Sequence, residues 1–194
     1  MDKPTIHVIL GTVRAKSLGA RVANWAMNEA AKNSNANFVL QDLKALNLPF
    51  EDEASEPFSG VYTHPEIKRW SETIGQADGY ILITPEYNHA TSAVLKNALD
   101  LLFKEWNRKP VTFISYSTGA FAGIRAIEQL IPVAVALQMA PLRASVAIPQ
   151  AQNVIQEDGT STDERLAANF QKMADDLLWW TTALKAAREQ TPTA

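Results

Sequence analysis

The sequence predicts an α/β fold: a five-stranded parallel sheet with helices on both faces. Two observations carry that reading. Short apolar runs rich in β-branched residues recur five times, and stretches with helical spacing of apolar residues alternate with them. The 194 residues, 46% apolar and 20% charged, suit one medium soluble domain over 1–194 with a sizeable core. No internal repeat or low-complexity linker divides the chain.

The strands are read as Thr5–Leu10, Asn37–Asp42, Gly79–Thr84, Val111–Tyr116 and Arg143–Ile148. After the first strand, Leu18, Val22, Trp25 and Ala26 form one apolar stripe, with Glu29 as its polar edge. A weaker helix spans 65–77. Leu95, Ala98, Leu99, Leu102 and Trp106 mark the next. Ile124, Ile127 and Ile131 begin another, which Pro132 is expected to kink or interrupt. Leu166, Phe170, Met173, Leu177, Thr181 and Leu184 form the stripe of a long C-terminal helix. Residues 45–62, with Pro49, Pro57 and Gly60, make the one long loop, a lid or an interface arm. Crossovers between parallel strands are right-handed, and five strands favour the flavodoxin-like order 2-1-3-4-5 over the six-stranded dinucleotide-binding order.

Composition removes several function classes. A formal net charge of −3 gives no electrostatic reason to expect nucleic acid or an anionic membrane surface. The absence of cysteine excludes disulfides, thiol catalysis, thiolate metal sites and Cys-ligated iron–sulfur clusters. His7, His64 and His89 show no metal-ligand spacing, so no metal is expected. The opening Met1-Asp2-Lys3-Pro4-Thr5 lacks the basic flank and apolar core of a signal peptide. The apolar stretch 130–149 carries Gln138, Arg143 and three prolines, which argues against membrane insertion. A cytoplasmic location is expected.

Ligands of such sheets bind outside the carboxyl ends of the strands, where the strand order reverses. The loops after Leu10, Thr84 and Tyr116 are therefore the candidates. The first, Gly11 to Gly19, offers the hydroxyls of Thr12 and Ser17, the cations Arg14 and Lys16, and a helix N-terminus, a combination suited to a phosphate. It is one residue short of a nucleoside-triphosphate P-loop, lacks the Gly before the Lys, and is not G-x-G-x-x-G. Its plainer reading makes Ser17 a helix N-cap, with Arg14 and Lys16 solvated. In the second loop Pro85 fixes its own φ and biases Thr84 toward extended geometry. The amides of Glu86, Tyr87, Asn88 and His89 are expected to point outward as donors to a planar heterocycle such as isoalloxazine, with Tyr87 beside the ring. Read alone, His89 is a helix-start residue rather than a catalytic base. The third loop, Ser115 to Gly123, is small, polar and flexible, and lets a ring edge approach the backbone. Three such loops at adjacent strand ends point to a mononucleotide site.

Gly11-Thr12-Val13-Arg14 with Ser17 resembles the GS-x-R-x-x-S phosphate loop of the NAD(P)H-dependent FMN reductases, a flavodoxin-like family of quinone, azo and chromate reductases. Thr84-Pro85-Glu86-Tyr87-Asn88, followed by Leu95 to Asp100, is similar to that family's PEYN…LKNAID signature. Residues 115–125 loosely match its glycine-rich third turn, and the resemblance spans about 6–148. It implies that Thr12, Arg14, Ser17, Leu18 and Gly19 hold the phosphate of FMN. Pro85, Glu86, Tyr87, Asn88 and His89 would lie at the ring edge near N5 and O4. Tyr116, Ser117, Thr118 and Gly119 would support the pyrimidine end. The chain departs from the pattern at Gly19, where many members carry Asn, at His89 in place of Gly, and at Ser117-Thr118 in place of a glycine pair.

The resemblance also implies a reaction. Hydride passes from NADPH or NADH to flavin N5, and electrons then pass to a quinone, free flavin, or azo or nitro compound. The cofactor carries that chemistry, so no catalytic acid or base is required. A homodimer or homotetramer is implied, with the neighbouring subunit walling the flavin. Trp179 and Trp180, diverging by ~100° on one helix, offer one side chain to such a partner. Arg125 and Glu128 offer either a subunit ion pair or an i,i+3 surface pair. The competing readings are a flavodoxin-type electron carrier without NAD(P)H activity, a phosphoacceptor receiver domain, and a flavin-free scaffold. Arg14, Lys16 and the mild net charge speak against the first, and the lack of acids after strands one and three speaks against the second.

Overall fold

The computed structural model describes residues 3–15, 17–50, 52–53 and 55–191. Lys16 of the first loop, Met1 and Asp2 of the opening, and Glu51 and Ala54 of the long loop lie outside the described residues.

Four strands carry most of the sheet: β1 (Thr5–Leu10), β2 (Asn37–Asp42), β3 (Gly79–Pro85) and β4 (Pro110–Tyr116). All pairs are parallel, and the order is β2-β1-β3-β4 followed by the far edge. Every residue of β3 and β4 is buried, as expected for strands covered on both faces. β2 has no fully buried residue because it is an edge. The reversal of strand order falls between β1 and β3.

The far edge differs from the single strand expected at Arg143–Ile148. Two short strands, β5 (Ala140–Pro141) and β6 (Val146–Ile148), share it, and both pair with β4. Pro141 has no N–H to continue a ladder. The intervening backbone leaves the sheet, and there the Thr112 hydroxyl donates to the Ala144 carbonyl.

Helices α1 (Leu18–Ala30) and α7 (Glu164–Gln190) cover one face. Their contact centres on Trp25 and Phe170, edge to face with ring centroids 5.7 Å apart; such pairs add about 0.5–1.5 kcal/mol beyond area burial. On α7 the stripe Leu166, Phe170, Met173, Leu177 and Thr181 is buried as read from sequence, and Leu184 is half-buried. The other face carries α3 (Pro65–Gly75), α4 (Ala93–Asp100) and α5 (Ile124–Ala136). Two four-residue helices, α2 (Leu43–Leu46) and α6 (Ala151–Val154), complete the set with 3₁₀ turns at Pro57–Ser59 and Lys104–Trp106.

Two helix expectations are corrected. The α4 stripe continues in burial to Trp106, but the helix stops at Asp100. The indoles of Trp70 and Trp106 donate to the carbonyls of Ala98 and Leu99, at 2.9 and 3.2 Å. A continuing helix would offer those carbonyls to Leu102 and Phe103. In α5, Pro132 does not interrupt the helix, which runs on to Ala136, and its core stripe is Ala126, Ile127, Leu130 and Ala134, with Ile124 exposed.

The segment 45–62 is less irregular than expected. It holds the end of α2 and a 3₁₀ turn. The Glu53 carboxylate ties it to the start of α3 by accepting from the Thr63 and His64 amides and the Thr63 hydroxyl. Among the described residues no helix is long and apolar enough to cross a membrane.

Candidate active site

The three loops read from sequence meet at the carboxyl ends of β1, β3 and β4, around a cavity of about 390 Å³. Its first wall is Arg14, Ala15, Ser17 and Leu18, its second Pro85, Glu86 and Tyr87, and its third Tyr116, Ser117 and Thr118. That volume lies within the usual range for small-molecule sites. A larger cleft, about 760 Å³, lies away from these loops between the broken edge strand and α7.

The first wall is a helix start. Ser17 is the N-cap of α1, and its hydroxyl accepts from the Ala20 amide at 3.2 Å. The plainer reading of Ser17 therefore holds, and it leaves the hydroxyl proton free to donate outward. Arg14 is exposed, and its guanidinium makes no ion pair or hydrogen bond among the described residues. Thr12 is buried beneath this wall. Its hydroxyl lies 3.4 Å from the Arg14 amide and 3.4 Å from the Tyr87 hydroxyl. Gly19 is buried as well. A Cβ on it would lie 2.3 Å from the Tyr116 hydroxyl and 2.6 Å from a Thr12 carbon. Glycine at this position, where the family pattern often has Asn, is thus a packing requirement that brings the third loop's aromatic against the first helix.

The second loop corrects an expectation. The Tyr87 amide donates to the Ala90 carbonyl at 2.9 Å and the Ala90 amide returns to Tyr87 at 3.1 Å, closing a two-residue turn. Asn88 and His89 fill that turn with φ of 51° and 67°, the left-handed pair of a type I′ turn. The Tyr87 amide is spent there and is not an outward donor. Asn88 and His89 stand exposed at the tip and do not line the cavity. The base of the loop is fixed by Thr84, whose hydroxyl donates to the Pro85 carbonyl at 2.7 Å and pairs with that of Thr91 at 2.8 Å. Ser92 caps α4 and donates to the Gly11 carbonyl at 2.6 Å, tying the first loop to the second. The N-cap pattern of Ser92 ahead of Leu95 was the signal for that residue.

In the third loop the Tyr116 side chain is buried. Burial, and then the neighbouring Tyr87, push its phenol above the ordinary range, so it stays protonated as a donor. Gly119 is exposed and does not line the cavity, and its carbonyl accepts from the Ser117 hydroxyl and the Gln150 amide, both at 3.0 Å. Arg125 does not pair with Glu128. Its guanidinium donates to Glu86 at 2.6 Å, joining the third loop's helix to the second loop. On α7, Trp179 and Trp180 meet edge to face at 5.2 Å, with Trp179 65% exposed. No metal-ligating cluster occurs among the described residues.

This arrangement offers charge and helix-end donors at the first wall, and at the others Pro85, two phenols, two hydroxyls and a Glu86 carboxylate paired with Arg125, which suits a phosphorylated planar ring. Comparison with known proteins agrees. The chain is 38% identical over 151 residues to an NAD(P)H-dependent FMN reductase of Schizosaccharomyces pombe, covering 76% of this chain and 74% of that one. It is 28% identical over 184 residues to a quinone reductase of Pseudomonas putida, covering 91% and 94%. The flavoenzyme NAD(P)H:(acceptor) oxidoreductase FerB of Paracoccus denitrificans shares the fold with a TM-score of 0.78 at 22% identity, over 93% of this chain and 98% of that one. The sequence model described as NADPH-dependent FMN reductase matches residues 4–153, and the chain belongs to that family of oxidoreductases, which work with FMN and a nicotinamide nucleotide.

Proposed function

We propose that the cavity between the three loops binds FMN, and that the protein moves electrons from NAD(P)H to a small acceptor of the quinone class. The observation that carries this reading is the convergence of three separate crossover loops on one cavity at the β1/β3 reversal. The residues fit the group. The α1 N-terminus, Ser17 and Arg14, which is unpaired among the described residues, suit a phosphate, and Gly19 clears the space that lets Tyr116 approach them. Likeness to quinone reductases supports the acceptor class.

When bound, FMN supplies hydride acceptance at N5 and onward electron transfer. The chain supplies placement. Arg14 and Ser17 hold the phosphate by charge-assisted hydrogen bonds. Pro85 and the Tyr87–Ala90 turn give the ring-side wall a rigid backbone. Tyr116, Ser117 and Thr118 close the opposite side, with the phenol held protonated. No side chain is asked to abstract a proton. The protein acts as one domain, in the cytoplasm, as a homodimer or homotetramer whose cavity would admit NAD(P)H and the acceptor.

The test is anaerobic titration of FMN-loaded protein with NADPH and then NADH, followed by a quinone. Bleaching of the flavin bands by a nicotinamide nucleotide and their recovery with quinone are expected. Flavin that binds but stays oxidised with both nucleotides would instead indicate an electron carrier.

A further inference from the structure

Glu86 and Arg125 are 39 residues apart in sequence and in direct contact. One carboxylate oxygen of Glu86 accepts from the Arg125 guanidinium at 2.6 Å, and the other accepts from the Arg125 backbone amide at 3.3 Å. That amide belongs to the first turn of α5. The N-cap there is Gly123, which has no side chain to offer. Glu86 therefore caps a helix it does not belong to, and one residue grips it from side chain and backbone at once. The guanidinium is packed on its open face by Phe121, 4.3 Å from the ring centroid.

Glu86 also lines the cavity, with its side chain 10% exposed against 35% for Arg125. A largely buried carboxylate at the wall of a flavin site opposes negative charge developing on the ring during reduction. A cation fixed against it cancels that opposition. Resting on the FMN reading above, we propose that Arg125 is a positioning residue that sets the electrostatics of the cavity wall: it neutralises Glu86 and so keeps the bound flavin easier to reduce. The same pair locks the second loop to the third.

A double-mutant cycle read by the flavin midpoint potential tests this, with FMN affinity and melting temperature measured alongside. Arg125→Gln leaves Glu86 charged and unpaired, and is expected to lower the two-electron reduction equilibrium about tenfold, or about 30 mV. Glu86→Gln is expected to move it the opposite way. The double variant returns to within about twofold of the parent, and Arg125→Lys, which keeps the charge, stays near it. A merely structural pair would not shift the potential with opposite signs. If both single variants bind FMN and shift the potential in the same direction, or not at all, the inference falls and the FMN reading stands. If Arg125→Gln does not fold, an unchanged or lowered potential in Glu86→Gln overturns it. If the parent protein takes up no FMN, both fall.

Discussion

The two ends of the sheet use charge in opposite ways. At the amino end, charged groups find partners within the chain. Asp78 accepts from the Thr5 amide at 3.0 Å, Lys185 at 2.9 Å and Arg188 at 3.3 Å. Lys109, buried beside them, donates to the carbonyls of Ile74 and Gly75 and to the Tyr80 hydroxyl, and burial, ahead of repulsion from Arg188, lowers it to about 8. At the carboxyl end Glu86 and Arg125 pair across two loops, but Arg14 has no such partner among the described residues, the Ser17 hydroxyl keeps a free proton, and a cavity separates the walls. Charges paired within the chain close a fold, whereas unspent donors around a cavity remain available to a ligand.

Disrupting the closed end comes first, with the largest effect. Asp78→Ala leaves two cations facing each other at a partly buried site and is expected to cost about 3 kcal/mol, read by denaturant unfolding. FMN affinity, measured by fluorescence titration, is expected to stay within about twofold. At the open end the outcome reverses. Arg14→Ala is expected to weaken FMN by about 1.5–3 kcal/mol, with melting temperature nearly unchanged. Equal losses of stability and affinity in either variant would dissolve the contrast.

Gly19→Ala probes the seam between the two regimes. In an ordinary helix this change stabilises by about 1 kcal/mol. Here the new Cβ would enter the Tyr116 hydroxyl and the Thr12 side chain. We expect a net loss of about 1–2 kcal/mol together with weaker FMN binding.

The smallest effect concerns His7, buried on β1, which burial first and Lys109 second lower to about 4. A lowered imidazole stays neutral in the fold while the unfolded chain takes up a proton below its ordinary value. Stability is therefore lost as pH falls from about 6.5 toward 4. At pH 5.5 this amounts to about 1.4 kcal/mol. Thermal melts of His7→Leu are expected to fall less steeply over that window than those of the parent.

Much of this was readable in one dimension. β1 and β2 have the bounds expected, and β3 and β4 extend theirs by one residue each. Of the residues read as cofactor-binding, Arg14, Ser17, Leu18, Pro85, Glu86, Tyr87, Tyr116, Ser117 and Thr118 line the cavity, while Thr12, Gly19, Asn88, His89 and Gly119 do not. The turn that excludes them was hidden because its bond joins Tyr87 to Ala90, and no glycine advertises the left-handed pair. The break in the edge strand was hidden because Val146 and Ile148 mark a strand without fixing where its pairing begins.

Period and composition dictated the elements, because burying an apolar stripe or run is a local demand that neighbouring residues express together. The topology rules then brought the right loops to one place. The partners across space were decided only on folding. That Glu86 meets Arg125 rather than solvent, that Tyr116 presses on Gly19, and that Asp78 collects two cations from the last helix are contacts between distant segments. Such pairings depend on which side chains the packed layers bring within about 3 Å, a distance that spacing along the chain does not encode.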